Sequence, residues 1–252
     1  MLSKNELKYY SSLQRKKIRD KENKFIVEGK KIVSEGLNGD CDCEIIIATN
    51  EFYNSDENFF KGINTEIRIE LIKSKELEKL SDTVTPQGII AVFKIPAMNK
   101  FSSVDEVIVC LDNVSDPGNT GTIIRNCDWF GIQNILMTRN CADIYNPKVI
   151  RASMGSLFHL EIQKNADLGR LKKLKEKGYK IILTDLKGND IFSFNFPDKF
   201  ILVFSNEATG PSQEIINISD ERLTIPKYGK AESLNVASAS AVVLSQVRKI
   251  IN

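Results

Sequence analysis

The sequence holds one histidine, His159, and five cysteines in no paired pattern. Cys41 and Cys43 form a C-x-C pair, while Cys110, Cys127 and Cys141 are scattered. A zinc centre needs four nitrogen or sulfur ligands in recognisable pairs, and this spacing does not supply them. The cysteines read as plain buried or surface thiols, and no metal is expected. No apolar run approaches the roughly 18 residues that a membrane-spanning helix requires. The opening stretch MLSKNELKYYSSLQRKK lacks the apolar core of a secretory signal. No membrane partner is expected, and the cytoplasm is the expected location. G-x-G-x-x-G is missing, and so is a Walker-type Gly-Lys-Ser/Thr, so Gly118 and Gly121 do not form a recognised nucleotide loop. There is no internal repeat and no low-complexity segment.

What is present is an ordinary globular composition. Apolar residues make up 42% of 252, enough for one large domain or two ordinary ones with buried cores. Net charge is only +2. Its distribution is uneven, because Met1 to Lys31 carries ten Lys/Arg against four acids. Such a block is either a solvated helix face or an electrostatic contact for phosphates. Arg15, Lys16, Lys17 and Arg19 are its densest part and the candidate RNA-binding residues.

Hydrophobic patterning divides the chain in two. Glu6 to Asp20 is a polar, helix-compatible run. Phe25 to Val27, Cys43 to Ala48 and Gln87 to Phe93 suit strands, and Gly29 to Leu37 suits a helix. Ile95 to Lys100, broken by Pro96, reads as a linker. Beyond it, strands and helices alternate. Strands are expected over Val104 to Leu111, Gln133 to Met137, Lys180 to Leu183 and Phe200 to Phe204. Helices are expected over Thr120 to Phe130, Pro147 to Met154, Leu168 to Lys177 and Asn235 to Ile251, with Gly178 capping the third. This order predicts an α/β fold with a mostly parallel sheet covered by helices. The expected domains are residues 1–97 and 98–252.

Three segments carry chemistry. LDNVSDPGNTGTIIRNCDWFGI, Leu111 to Ile132, is a buried strand, a polar turn and a helix bearing Arg125. Ligands of open α/β sheets sit at the carboxyl ends of strands, and helix N-termini attract anions there. ILVFSNEATGPS, Ile201 to Ser212, is a second buried strand with a polar turn, after which Pro211 is expected in the first turn of a helix. LTIPKYGKAESLNV, Leu223 to Val236, is a polar loop before a helix rich in small residues, Ala237 to Ala241. Taken singly, each has a plain reading. Arg125 is a surface helical arginine, Glu207 a carboxylate paired with a nearby cation, and Ser233 or Asn235 a helix N-cap.

Taken together and in this order, the segments resemble the motifs of the SpoU (TrmH-type) RNA 2′-O-ribose methyltransferases of the SPOUT superfamily. Asp116, Pro117, Asn119, Gly121 and Arg125 match the family's D-P-x-N-x-G-x-x-x-R. Asn206, Glu207 and Gly210 match its Gly-x-Glu-x-x-Gly, with Ser205 in place of the usual glycine. Ile225, Ser233, Leu234 and Asn235 match the last motif. Ser12 to Leu37 and Thr85 to Phe93 resemble the substrate-binding domain that precedes the catalytic one, itself similar to a small ribosomal-protein fold. The resemblance implies a deep trefoil knot, a rare exception among folds, and a homodimer formed through the C-terminal domain. It implies S-adenosylmethionine as cofactor, held near Ser205, Asn206, Ile225 and Leu234. It further implies a polar site of Arg125, Asn119, Glu207, Ser233 and Asn235, and an RNA substrate, ribosomal rather than transfer RNA. A serine at 205 costs something if the backbone there needs positive φ or close approach. The competing expectations are a non-catalytic RNA-binding protein with the same fold, a transfer-RNA 2′-O-methyltransferase, and a nucleotide-binding α/β enzyme without an RNA partner.

Overall fold

The structure, a computed structural model, describes residues 2–39, 41–97, 101 and 104–251. Met98 to Lys100 of the expected linker lie outside the described residues. The chain forms two compact units, Met1–Ala97 with Asp143–Phe158 and Met98–Ala142 with His159–Asn252.

The first unit begins with α1 (Lys4–Ser12) and α2 (Lys16–Glu22), then β1 (Lys24–Glu28), α3 (Lys30–Asn38) and β2 (Cys43–Thr49). The short helices α4 (Asn50–Ser55) and α5 (Glu57–Lys61), strand β3 (Arg68–Ile72), α6 (Ser74–Leu77) and β4 (Ile89–Lys94) follow. The second unit opens with β5 (Val107–Asp112), α7 (Pro117–Trp129) and β6 (Asn134–Met137). The chain then returns to the first unit for α8 (Pro147–Ser153) and a 3-10 turn (Ser156–Phe158). It ends in the second unit with β7 (Glu161–Gln163), α9 (Leu168–Glu176), β8 (Lys180–Asp190), β9 (Phe200–Ser205), α10 (Gln213–Ile218), β10 (Glu221–Thr224) and α11 (Val236–Ile251).

In the first unit the strand order is β1-β4-β2-β3, with β1 and β2 antiparallel to β4 and β3 parallel to β2. Ile26, Ile45, Ile47, Ile90 and Val92 share a core with Tyr10, Leu13, Leu77 and Leu80. Their sheet neighbours Phe25 and Phe93 pack instead against the tilted rings of Tyr145 and Phe158 of the returning segment. Gly36 on α3 permits this packing, because a Cβ there would lie 2.6 Å from the Phe93 ring.

Two helices replace the single run expected over Glu6 to Asp20. Arg15 is extended (φ −90°, ψ 126°) and starts α2. The break frees carbonyls at the end of α1, which need donors. Arg19 supplies them, donating to Leu13 O at 3.0 Å and Gln14 O at 2.6 Å. Its other nitrogens donate to the Asp143 carboxylate at 2.6 and 3.2 Å. Arg19 is 2% exposed. It is therefore corrected from an RNA-binding candidate to a structural residue of this corner, since a guanidinium 2% exposed and bonded to buried acceptors is not presented to phosphates.

In the second unit all strand pairs are parallel, in the order β10-β8-β9-β5-β6-β7. Alternate side chains such as Ile108, Cys110, Ile181, Leu183, Ile201 and Val203 pack with Leu171, Leu174 and Ile215 of α9 and α10. Helix α7 is tied to α11 by Asn126, whose Nδ2 donates to Ala237 O at 3.0 Å and Ser240 Oγ at 2.9 Å. Strand β8 runs seven residues past the expected Leu183, and its exposed Lys-Gly-Asn-Asp end pairs with β10 across a bulge. Strands β5 and β9 lie side by side, with Asp112 in register with Ser205 at their carboxyl ends.

Candidate active site

The polar turns expected to carry chemistry lie at these strand ends. Asp116 caps α7, its Oδ1 accepting from Asn119 N at 2.8 Å, and Pro117 opens the helix. Asn119 then stands between two partners. Its Nδ2 donates to Glu207 Oε1 at 2.9 Å, and its Oδ1 accepts from Asn235 Nδ2 at 2.9 Å. Residues 88 and 116 positions away in sequence thus meet on one side chain. Glu207 accepts from an amide, not from a lysine or arginine among the described residues. Asn235 also caps α11, its Oδ1 accepting from the N–H groups of Ala237 and Ser238 at 2.9 and 3.3 Å. One side chain makes the cap and the bond to Asn119 together, because an amide has donors and an acceptor at once. Ser233 is exposed and takes no part in the cap.

A cavity of about 360 Å³ lies beside this triad, a volume in the range of small-molecule sites. Its walls come from four places: the end of β8 at Thr184, Asp185 and Leu186, the turn from Ser205 to Pro211, the loop from Leu223 to Leu234, and Val236, Ala239 and Val243 of α11. Glu207 is part of the lining, as are Ser205, Asn206, Ile225, Ser233 and Leu234. Residues 226–234 make no backbone–backbone hydrogen bond among the described residues. Their N–H and C=O groups are therefore available to a ligand. Ser205 Oγ is buried with no hydrogen-bond partner. A buried hydroxyl without a partner is costly in a native protein, and one on a cavity wall fits a polar ligand.

The serine brings no backbone strain, since Ser205 is not among the residues with positive φ. Asn206 behaves differently from its neighbours. Its side chain accepts from Ala208 N at 2.9 Å and Thr209 N at 3.2 Å and donates to Asn113 O at 3.2 Å. Its main chain bonds Asp112 O and Gly210 N. Asn206 thus shapes the turn, and Gly210 at φ +69° closes it. Pro211 precedes the helix instead of opening it: Ser212 caps α10, which starts at Gln213.

Asp112 joins this arrangement although no motif singles it out. It is 2% exposed, and its Oδ2 accepts from Ser212 N at 2.8 Å, which clamps the turn to the end of β5. An acid ending an otherwise apolar strand is its sequence signal. Asn126 has no such signal, because it follows Arg125 directly and looks like a helix-surface residue.

Arg125 is not drawn into the triad. It is exposed on α7 and makes no hydrogen bond or ion pair among the described residues. Its guanidinium stays charged, so an unpaired cation stands on the helix that carries Asn119. In the first unit Arg15, Lys16 and Lys17 are likewise exposed and without an acid partner among the described residues. No group of three or more His, Cys, Asp or Glu side chains is arranged to hold a metal among the described residues. No helix among them is long and apolar enough to cross a membrane.

A parallel α/β sheet with main-chain groups exposed in a cavity at its carboxyl edge, and a polar triad beside it, is the arrangement of a ligand-binding α/β protein. The chain belongs to the SpoU rRNA Methylase family, whose model matches residues 106–245. An MRM3-like substrate binding domain matches residues 4–91. The 23S rRNA (guanosine(2553)-2′-O)-methyltransferase RlmP of Bacillus subtilis (strain 168) is 31% identical over 244 residues, 96% of each chain. A putative RNA methyltransferase of the TrmH family from Porphyromonas gingivalis has the same fold, with a TM-score of 0.88, 33% identity and 99% of each chain covered. The SpoU methyltransferase AviRb from Streptomyces viridochromogenes, solved in complex with the cofactor AdoMet, is 24% identical and shares the fold at a TM-score of 0.86 over 98% of each chain.

Proposed function

We propose that this chain transfers a methyl group from S-adenosylmethionine to a ribose 2′-hydroxyl of large-subunit ribosomal RNA. The observation that carries the reading is the hydrogen-bonded series Asn235–Asn119–Glu207 beside a cavity whose loop leaves its main chain unpaired. Family membership and the activity of the B. subtilis relative support the reaction class.

The cofactor supplies a methyl already activated by its sulfonium, so the protein's task is to hold, orient and neutralise. Main chain near Ile225 and Leu234 and the Ser205 hydroxyl would hold it. Asn206 acts through the shape of the turn, because its own hydrogen-bonding groups are engaged. When bound, the cofactor would supply the methyl that the ribose 2′-oxygen takes, and the hydroxyl proton would pass to solvent water. Arg125 is not the base, since an arginine is not deprotonated in proteins. It orients a substrate phosphate and stabilises the oxygen as negative charge develops. Asn119, Glu207, Ser233 and Asn235 form the polar wall facing the ribose. Arg15, Lys16 and Lys17, unpaired within the substrate-binding match, attract the RNA backbone.

The same reading takes residues 1–97 as the RNA-binding domain and 98–252 as the catalytic one. It includes a trefoil knot in the catalytic domain, a homodimer through that domain and a cytoplasmic site of action. The helix α11, with small residues from Ala237 to Ala241, supports the dimer. Calorimetry with S-adenosylhomocysteine tests the cofactor. A ligand binding only the native state raises stability by about 2.7 kcal/mol at a hundredfold excess over Kd, so the thermal midpoint should rise too. Absence of both heat and midpoint shift would remove the enzymatic reading. Mapping 2′-O-methyl groups in cellular RNA with and without the gene identifies the nucleotide.

A further inference from the structure

We infer that a second cavity, in the first unit, takes an unpaired guanine of the RNA substrate, read by the Glu78 carboxylate. The cavity measures about 370 Å³ and shares no lining residue with the cofactor cavity. It opens where β2 ends. Thr49 is buried there, and its hydroxyl caps α4 by accepting from Phe52 N at 3.1 Å. Phe52 forms one apolar wall, its ring fixed by an edge-on contact with Phe60 at 6.0 Å between centroids. Leu77 of α6 and Pro86 supply the rest of the apolar lining. The turn that carries Pro86 lies close against α4. Gly88 has φ +83°, its carbonyl accepts from Thr49 N at 2.9 Å, and a Cβ there would meet Phe52 Cβ at 2.8 Å. A slot with apolar walls suits a flat ring taken out of a stack.

The polar groups of the slot decide what the ring must carry. No lysine or arginine lines it, whereas Glu51 and Glu78 do. An ionised carboxylate only accepts hydrogen bonds, and it repels phosphate. Glu51 is already engaged: Ser74 Oγ donates to its Oε2 at 3.3 Å, and its own N–H and then the Thr49 hydroxyl hold it below the usual carboxylate range. Glu78 is exposed and has no hydrogen-bond or ion-pair partner among the described residues. Its two oxygens are free to take two parallel donors. Guanine alone among the RNA bases presents two donors side by side on its Watson–Crick edge, the N1–H and the N2 amino group. Adenine and cytosine place an acceptor next to their amino group, and uracil flanks its N–H with two carbonyls. Each of these sets a lone pair against the carboxylate. Cations for the strand's phosphates stand outside the slot, since Lys75 on α6 and Lys79 just past it are exposed and unpaired among the described residues. A polyamine would meet the carboxylates but leave the apolar walls unused, so a base suits the slot better. The substrate-binding match over residues 4–91 contains every lining residue. The inference rests on the RNA methyltransferase reading, and it adds to it a base contact in the first unit.

Fluorescence anisotropy of the full chain with labelled single-stranded heptamers tests this. UUUGUUU should bind about 5- to 150-fold more tightly than UUUUUUU, the range for one bidentate pairing of a side chain with a base. UUUAUUU should show no such gain. Inosine in place of the guanine removes the N2 amino group and should lose most of it. Glu78→Gln should bring UUUGUUU down to the affinity of UUUUUUU. It should leave UUUUUUU binding and the thermal midpoint unchanged, because Glu78 holds nothing in the fold among the described residues. Equal affinity of the wild type for the two heptamers overturns the inference, and so does a guanine preference that survives Glu78→Gln. Spermine binding that Glu78→Gln abolishes, with no preference among the heptamers, overturns it in favour of an amine. A guanine preference dependent on Glu78, without methyl transfer to any ribosomal RNA, supports the slot while removing the activity. Methyl transfer without that preference keeps the activity and removes the slot.

Discussion

Arg19 and Arg125 both stand on helices, one in each unit. The first is 2% exposed and bonds two carbonyls and a carboxylate. The second is exposed and bonds nothing among the described residues. Their difference shows what charge counting misses. A basic block attracts RNA only through cations that the fold has not already used. An arginine left unpaired on the helix that carries Asn119 is bound by no contact of the fold among the described residues.

The sharpest test of this contrast is removal of each guanidinium. Arg125→Ala should lower methyl transfer by at least about a hundredfold, the scale of losing one transition-state donor, with an unchanged thermal midpoint. Arg125→Lys should stay poor, because an ammonium cannot copy the two-pronged fork. Wild-type turnover in either variant would break the comparison on the catalytic side. Arg19→Ala should do the reverse. It strands Asp143, 9% exposed, and two carbonyls without a donor, a loss of about 3–5 kcal/mol in denaturant unfolding. A stable Arg19→Ala protein would show that its buried bonds matter little. The triple change of Arg15, Lys16 and Lys17 to Ala should leave stability and cofactor affinity alone. It should flatten the salt dependence of RNA binding by about 0.7–0.9 in log–log slope for each phosphate that the protein no longer neutralises.

Smaller effects refine the picture. Ser205→Ala should cost about 0.5–1.5 kcal/mol of cofactor affinity, a single net hydrogen bond, read by calorimetry. Equal affinity would mean that the buried hydroxyl faces nothing. At the start of the first unit, Glu6 is held down at about 2, chiefly by the Ser3 N–H and then by Arg68. Its folded value lies below the usual 4.5, so its contribution is complete above that pH and is lost as pH falls toward 2. Glu6→Gln should slightly flatten the acid limb of a plot of thermal midpoint against pH, and parallel limbs would exclude the effect.

Legibility in the sequence follows burial and periodicity. The apolar runs that form β5, β6 and β9 are readable because a strand covered on both faces needs continuous β-branched and aliphatic residues. β3 and β10 are not, since Arg-Ile-Glu-Leu-Ile and Glu-Arg-Leu-Thr are half-exposed and interrupted by charge. The far end of β8, Lys-Gly-Asn-Asp, has no apolar signal at all; its pairing is dictated by β10 across the bulge. In the site, the motifs bring Asn119, Glu207 and Asn235 to attention, and the structure links them. The use of Asn206 as a turn-former and of Asp112 as a clamp depends on which backbone N–H each meets in three dimensions. Sequence spacing is blind to that. The corner at Arg15 is hidden for a similar reason, because no glycine or proline marks it and the donors that sustain it lie four residues on.

The returning segment Asp143–Phe158 has a consequence for how the protein is made. Phe25 and Phe93 pack against Tyr145 and Phe158, and buried Arg19 finds its acid at Asp143. Synthesis is vectorial, so a nascent chain that has emerged only as far as Ala97 has its first sheet but not the aromatic lid or the counter-ion. It must wait while β5, α7 and β6 leave the ribosome before the first unit can close. The first unit therefore matures after synthesis of the second has begun, and the two cannot fold as a simple queue.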